Sequence, residues 1–279
     1  MRTIRPQVLS TRFQTMTTLQ SASPLLGTSA RFWDKTAHKY ATSAIADMPG
    51  YERTLQRVRR RLQRTDYVLE LGCGTATTAL QLAAATAHYT ATDLSPAMVG
   101  IARQKLAHAP QEVLRVLHLA VAGADADLPA PAQLPQKSET ATSPGQADAG
   151  WDVVLAFNLL HLVPDLNQTL TQVVRQLRPG GLFISKTACI AHMNPLVPHV
   201  ALPLMRLLRL APPVQVLTED RLLTAIERSG LTIDSVEHHA TPGRGRDWRP
   251  FVVARKPIDM TTPASPTLLT SESISIELP

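Results

Sequence analysis

The chain has 279 residues, of which 44% are hydrophobic, and its formal net charge is +6. This length and composition favour one large α/β domain with extensions and exclude a small disulfide-stabilised fold. Two cysteines occur, Cys73 and Cys189, and the sequence contains no C-x-x-C motif or His/Cys cluster typical of a metal site. We therefore expect a reducing, cytoplasmic setting and no bound metal.

The first 30 residues are rich in Arg, Ser and Thr and contain no acidic residue. They are expected to be either a disordered basic extension or a targeting peptide, and the second alternative would place the protein in the mitochondrial matrix. The most apolar stretch, 195–217, is interrupted by prolines and by charged residues. The sequence therefore predicts no integral membrane segment.

Two helices are predicted before the first strand. The first begins near Phe32 and has Trp33 and Tyr40 on one side. The second, 51–63, carries arginines on one face and apolar residues on the other. We interpret its arginines as a solvated face, because no aromatic side chains are interleaved with them as base stacking would require. Nucleic acid is therefore not an expected partner, although an anionic substrate, RNA or a membrane surface is the alternative.

The central feature of the sequence is a short apolar run, Tyr67–Leu71, that ends at two glycines, Gly72 and Gly74. A helical pattern follows directly, so the stretch predicts a strand, a tight turn and a helix. The next apolar run, 88–92, ends at Asp93, and an acid at that strand tip can accept hydrogen bonds from both hydroxyls of a ribose. Two neighbouring strand tips thus predict a nucleoside site.

The residues around the glycines indicate which nucleoside binds. Glu70 precedes the first glycine by two residues, where it suits a cationic ligand and repels a phosphate. With Ala76 at the next alternate position, the G-x-x-G spacing of a nicotinamide-dependent oxidoreductase is absent. The stretch resembles the E-x-G-x-G-x-G motif of class I S-adenosylmethionine-dependent methyltransferases. This resemblance implies S-adenosylmethionine as cofactor and an α/β, Rossmann-like, seven-stranded, mostly parallel sheet with an antiparallel last strand and helices on both faces.

The resemblance covers about residues 31–256 and assigns roles to individual positions. Tyr40 is expected to help close the site, Met98 to pack on the adenine, and Asp125, rather than Asp127, to accept a hydrogen bond from the adenine amino group. The cofactor-binding residues that it implies are Glu70, Gly72, Cys73, Gly74, Asp93, Leu94, Met98, Asp125 and Asn158.

The second half of the sequence predicts the remaining strands. A third strand is expected over Val113–Leu119, a buried central strand over Trp151–Phe157, and a fifth over Leu182–Lys186, with Pro179-Gly180-Gly181 ending the preceding helix. The segments 231–237 and 251–255 are typical of the antiparallel pair that closes such a sheet. Three further segments are interpreted from composition and position: a flexible insertion at 129–150, a substrate cap at 187–217 and a disordered tail at 257–279.

Two histidines are candidates for the chemistry. His161 follows the fourth strand tip and is the expected general base, although a histidine satisfied by its neighbours is an equally good interpretation. His192, in the expected cap, is the weaker candidate and a possible substrate contact. The N/D-P-P-Y/F element of enzymes that methylate exocyclic amines or protein amides is replaced here by Asn158-Leu159-Leu160-His161.

A small, fairly apolar acceptor is therefore expected, with O- or C-methylation by in-line transfer. The alternative is a non-catalytic assembly factor or adaptor with a methyltransferase-like fold.

Overall fold

The computed structural model describes residues 24–129, 150–192, 204, 214–240 and 249–258. The strands are β1 Tyr67–Leu71, β2 His88–Asp93, β3 Leu117–Val121, β4 Trp151–Phe157, β5 Leu177–Lys186, β6 Thr232–His238 and β7 Pro250–Arg255. The helices are α1 Pro24–Thr42, α2 Met48–Arg59, α3 Thr77–Leu82, α4 Pro96–Leu106, α5 Gln111–Val116, α6 Leu166–Gln176 and α7 Glu219–Arg228. Short 3₁₀ turns occupy Ala83–Ala85 and Ile190–His192.

The seven strands form one sheet in the order β3-β2-β1-β4-β5-β7-β6. Every neighbouring pair is parallel except those made by β7, which is antiparallel to both β5 and β6. Leu71 pairs with Thr92 of β2 and with Ala156 of β4, so the carboxyl ends of three strands lie side by side. The strand order reverses between β1 and β4, and ligands of open α/β sheets bind at such a point. The predicted fold is confirmed.

Side chains that alternate along the strands form two hydrophobic cores, one on each face of the sheet. Leu69 and Leu71 point into a core shared with α6 and α7. Val68 precedes Leu69 in β1, so its side chain points to the other face of the sheet. It belongs to a second core that includes residues of α2 and α3. Helices therefore cover both faces of the sheet and flank the carboxyl ends of its strands.

Two expectations for the strands were wrong in detail. Val113 lies in α5, because the chain enters a helix after Pro110, and β3 begins only at Leu117. A short apolar run does not distinguish a strand from a buried helix, which explains the error. Pro179-Gly180-Gly181 does not end a helix but lies within β5, where the register with β4 shifts between Trp151 and Val153. The extra residues are accommodated as a bulge.

Helix α1 begins at Pro24, seven residues before the domain boundary expected at residue 31. Proline is favoured in the first turn of a helix, where its missing N–H is not needed. Residues 1–23, most of the insertion at 129–150, most of the cap at 187–217 and nearly all of the tail at 257–279 lie outside the described residues, so those assignments stay predictions. Among the described helices, none combines the length and the apolar character needed to cross a lipid bilayer.

The arginines of α2 are more engaged than the solvated face that was expected. The guanidinium of Arg57 pairs with Glu237 of β6 at 2.6 Å. Arg53 donates to the carbonyl of His239 at 2.8 Å, and Arg59 donates to the carbonyl of Gln81 at 3.0 Å. Part of the basic face therefore fastens α2 to the far edge of the sheet and to α3.

Candidate active site

The loop that follows β1 has a backbone that favours glycine at three alternate positions. The φ angles of Gly72, Gly74 and Ala76 are 66°, 55° and 58°. An L-residue in this left-handed region costs about 1–2 kcal/mol, so Ala76 retains the conformation of the missing third glycine at an energetic cost. Its methyl group is fully buried in the core beneath the loop, which offsets part of that cost. The loop therefore keeps its shape despite the substitution.

Asp93 joins this loop to the tip of β2. One carboxylate oxygen accepts the N–H of Gly74 at 2.9 Å, and the other accepts the N–H of Ser95 at 2.9 Å. The side chain is 8% exposed, and burial raises the pKa of Asp93, although the two hydrogen bonds lower it and nearby Asp34 raises it further. The carboxylate is thus held in one orientation, with its remaining lone pairs available to hydroxyl donors.

A cavity of about 410 Å³ opens at these strand tips. The predicted site residues that line it are Tyr40, Gly72, Asp93, Leu94, Met98, Asp125, Asn158 and His161. Most of its other walls are apolar and include Trp33, Phe157 and Leu159. Its volume lies in the range of about 300–1,000 Å³ that is usual for small-molecule sites.

Three predicted cofactor residues, Glu70, Cys73 and Gly74, are not among the described lining residues of this cavity. The Glu70 carboxylate accepts the hydroxyl of Tyr89 at 2.8 Å and is only 2% exposed. Burial raises the pKa of Glu70 to about 7. Glu70 and Tyr89 lie on the same face of the sheet, because Val68 pairs with Tyr89 and side chains alternate along β1. The expectation that Glu70 meets a cationic ligand stays a prediction.

Cys73 and Gly74 act on the loop itself. The backbone N–H of Cys73 donates to the carbonyl of Thr92 at 2.8 Å, which ties the loop to β2. Gly74 contributes the N–H that Asp93 accepts. Both residues thus help to hold the loop in shape, and their direct contact with a ligand stays a prediction.

The two acids after β3 have different surroundings. Asp127 accepts a hydrogen bond from the side-chain amide of Gln172 on α6 at 3.3 Å. Asp125 lines the cavity instead. The choice of Asp125 over Asp127 as the acid that meets a ligand stays a prediction.

Helix α1 covers the site, and Tyr40 is the residue that meets the loop. A Cβ atom on Gly74 would lie 3.5 Å from Cε1 of Tyr40, so the ring lies directly over that residue. Trp33 packs edge-to-face on Tyr40 with ring centroids 6.2 Å apart. The Tyr40 side chain is 51% exposed, yet burial around its hydroxyl and the charges of Asp93 and Glu70 raise its pKa.

Asp34 supports the site, although no role was predicted for it. One of its carboxylate oxygens accepts the hydroxyl of Ser95 at 2.6 Å and the N–H of Ala97 at 3.1 Å. Ser95 caps α4 by accepting the N–H of Met98 at 3.1 Å. Asp34 therefore locks α1 onto the first turn of α4, next to Asp93. The Ser-Pro start of α4 was the available signal, but its partner lies 61 residues away.

Asn158 and His161 follow the tip of β4. Asn158 adopts a φ of 52°, and its N–H donates to the carbonyl of Lys186 at the end of β5 at 2.7 Å. His161 lines the cavity, and its buried Nδ1 has no hydrogen-bond partner among the described residues. Burial, together with the charge of Arg249, lowers the pKa of His161 to about 4. The imidazole is therefore neutral near pH 7, and the side chain of His192 lies outside the described residues.

The residues at this edge fit an adenosine-type cofactor. Asp93 and Asp125 offer acceptors for hydroxyl and amino groups, and Met98 offers an apolar face. At Gly72 a Cβ atom would come within 2.7 Å of Cδ1 of Leu159, so the close approach of loop and cavity wall requires glycine there.

Known proteins share this fold and part of this sequence. A family model described as a methyltransferase domain matches residues 69–183. The reducing polyketide synthase Preu2 of Preussia isomera is 31% identical over 120 residues, which make up 42% of this chain and 4% of the synthase. The chain thus spans only a small part of the length of that relative.

Two solved structures show the likeness in three dimensions. Magnesium protoporphyrin IX methyltransferase from Synechocystis PCC 6803 with bound S-adenosylmethionine gives a TM-score of 0.55 at 17% identity, covering 85% of this chain and 99% of that one. The (4+2)-cyclase SpnF gives a TM-score of 0.54 at 17% identity, covering 74% of this chain and 80% of that one. At these identities the likeness concerns the fold.

The family match and the fold together confirm the resemblance to class I S-adenosylmethionine-dependent methyltransferases. The family model indicates a methyltransferase domain over residues 69–183, and the solved structures show that the fold is shared.

Proposed function

We propose that this chain, whose residues 69–183 match a methyltransferase domain, transfers a methyl group from S-adenosylmethionine to a small, fairly apolar acceptor. Oxygen or carbon is the proposed methylated atom. The observation that carries the proposal is the geometry of Asp93, which lines the cavity while it fixes the glycine loop through Gly74. The mostly apolar walls of that cavity support an apolar partner rather than a strongly polar one.

The proposed binding residues divide between the two halves of a nucleoside. Asp93 would accept the ribose hydroxyls, while Asp125 and Met98 would hold the adenine. Tyr40 would cover the loop from above, and Asp34 would keep α1 in place for this purpose. Glu70 would act at a distance, by fixing β1 to β2 through Tyr89.

When bound, S-adenosylmethionine supplies a methyl group on a positively charged sulfur. The chain's own contribution is to align the acceptor and exclude water, effects that can lower a barrier by about 7–11 kcal/mol. The walls formed by Trp33, Phe157 and Leu159 exclude water.

His161 would take part as a neutral hydrogen-bonding group. The lowered pKa makes it a weak general base, because a base works best when its pKa lies near the working pH. Because its side chain lines the cavity, its imidazole would hold an acceptor hydroxyl in position. We retain His161 as the proposed catalytic residue in this orienting role, and His192 as a proposed substrate contact.

The setting in the cell follows from the sequence alone. We keep the cytoplasm as the proposed compartment, with the mitochondrial matrix as the alternative if the first 30 residues act as a targeting peptide.

Methyl transfer is tested with S-adenosylmethionine labelled in the methyl group and a panel of small phenols, enols and carboxylic acids. We expect label in at least one oxygen or carbon acceptor, and its loss in the Asp93→Ala protein. Asp127→Ala is the matched control, because this nearby acid is bonded to Gln172 and does not line the cavity. Cofactor binding without transfer to any acceptor would instead support the non-catalytic adaptor, and altered acceptors without label would indicate another reaction on the same fold.

A further inference from the structure

A second cavity of about 400 Å³ lies beside the first, on the side of β5. The two cavities share Phe157, Asn158 and Arg249 as walls, so they meet at the tip of β4. Each has a volume suited to one small ligand. A reaction between a cofactor and an acceptor needs two such sites in contact, and the first cavity holds the residues that fit adenosine.

The second cavity combines apolar walls with positive charge. Ile45, Leu55 and Phe157 supply apolar surface, while Lys186 and Arg249 supply two cations. One acid, Asp47, also lines it, but the side chain of Asp47 caps α2 by accepting the N–H of Gly50 at 3.0 Å. The described lining therefore carries an excess of one positive charge.

Lys186 is held in place by a chain of hydrogen bonds that runs away from the cavity. Its ammonium group donates to the hydroxyl of Thr54 at 3.1 Å, and that hydroxyl lies 3.0 Å from Nδ1 of His239. Nε2 of His239 lies 3.1 Å from Glu237, which in turn pairs with Arg57. The Thr54 hydroxyl itself donates to the carbonyl of Gly50 at 2.9 Å. Burial lowers the pKa of His239, while the hydrogen bond to Glu237 raises it.

We propose that this second cavity receives the acceptor and that the acceptor carries a carboxylate, which binds Lys186 and Arg249. The inference rests on the proposed function and adds the chemical class of the acceptor to it. Two cationic side chains beside apolar walls suit a carboxylate on an otherwise apolar molecule. The rest of the acceptor lies against the apolar walls and reaches the first cavity past Asn158.

The test uses the full chain saturated with S-adenosylhomocysteine and measures ligand binding by calorimetry. The probes are 4-hydroxybenzoate and decanoate, each paired with its carboxamide, together with inorganic phosphate. We expect at least one acid to bind about tenfold or more tightly than its amide, because a hydrogen bond to a charged group is stronger than a neutral one. Lys186→Met should remove that advantage and leave the amide within about twofold.

Two further variants separate charge from folding. Lys186→Gln keeps a donor for Thr54 but removes the charge, so it should lose the preference for the acid while it retains the affinity for S-adenosylhomocysteine. Lys35→Met removes one positive charge from the exposed face of α1. It should leave the preference for the acid and the affinity for S-adenosylhomocysteine unchanged.

The outcomes distinguish the two proposals. If wild type does not bind S-adenosylhomocysteine, the proposed function itself fails. If it binds, but acids and amides bind equally or both bind too weakly to detect, the acceptor class proposed here is wrong. Tight binding of inorganic phosphate that Lys186→Met removes would also overturn the carboxylate assignment, since a phosphate ester would then be the better acceptor.

Discussion

Replacing Gly72 by alanine should destabilise the protein through two separate effects. The residue has a φ of 66°, and an L-residue there costs about 1–2 kcal/mol. The new Cβ atom would also lie 2.7 Å from Cδ1 of Leu159, which is buried in the core. Overpacking of this kind costs about 1–3 kcal/mol. Together the two effects give a loss of about 2–5 kcal/mol in the free energy of unfolding.

Gly74→Ala is the matched control, because its φ of 55° is similar but its nearest neighbour, Tyr40, would be in ordinary contact at 3.5 Å. It should cost only the backbone strain of about 1–2 kcal/mol. Thermal unfolding separates the two, since 1 kcal/mol shifts the Tm of a domain this size by about 2–4 °C. If the Tm falls equally in Gly72→Ala and Gly74→Ala, or does not fall in Gly72→Ala, the contact with Leu159 does not constrain the loop.

Other substitutions test the buried groups around the site. Because burial raises the pKa of Glu70 from 4.5 to about 7, wild type should lose up to about 3 kcal/mol of stability as the pH rises through this window. Urea unfolding at several pH values should show no such loss in Glu70→Gln. If the free energy of unfolding depends on pH in the same way in both proteins, the raised pKa of Glu70 is refuted. Ala76→Gly should change stability by less than about 1 kcal/mol, because relief of strain offsets a lost methyl group and a more flexible chain. Ala79→Gly, within α3, is the control and should cost about 2 kcal/mol. Thermal unfolding compares the two, and equal losses of stability in Ala76→Gly and Ala79→Gly would be inconsistent with strain at Ala76. The methyl-transfer rate should show no ionisation of His161 between about pH 6 and pH 8. An inflection there that disappears in His161→Gln would contradict a neutral imidazole.

The part of the site that sequence could predict is encoded locally. Gly72, Gly74 and Asp93 stand at the ends of two apolar runs, and the carboxyl ends of neighbouring parallel strands meet at one edge of the sheet. The sequence pattern therefore indicated both the fold and the first cavity. The choice between Asp125 and Asp127 rested on the resemblance to the methyltransferase family. In the structure they differ in that Asp127 accepts a hydrogen bond from Gln172 of α6.

The rest depends on contacts between residues far apart in the chain. Asp34 meets Ser95 across 61 positions, and Lys186 meets Thr54 across 132. The hydrogen bond between Glu70 and Tyr89 also depends on how β1 and β2 pair. The second cavity likewise forms only when α2 is packed against the end of β5.

The central claim is that Asp93 and the glycine loop bind the cofactor, and calorimetric titration with S-adenosylmethionine tests it most directly. Micromolar binding is expected for wild type, with a loss of at least about tenfold in Asp93→Ala, because hydrogen bonds to a charged acceptor are worth about 1.5–3 kcal/mol each. Asp165→Ala is the control: it removes an exposed cap of α6, which accepts the N–H of Gln168 at 3.0 Å, from a residue that does not itself line the cavity, and should bind like wild type. Equal affinity in wild type and Asp93→Ala, or tighter binding of NAD than of S-adenosylmethionine, would contradict the account.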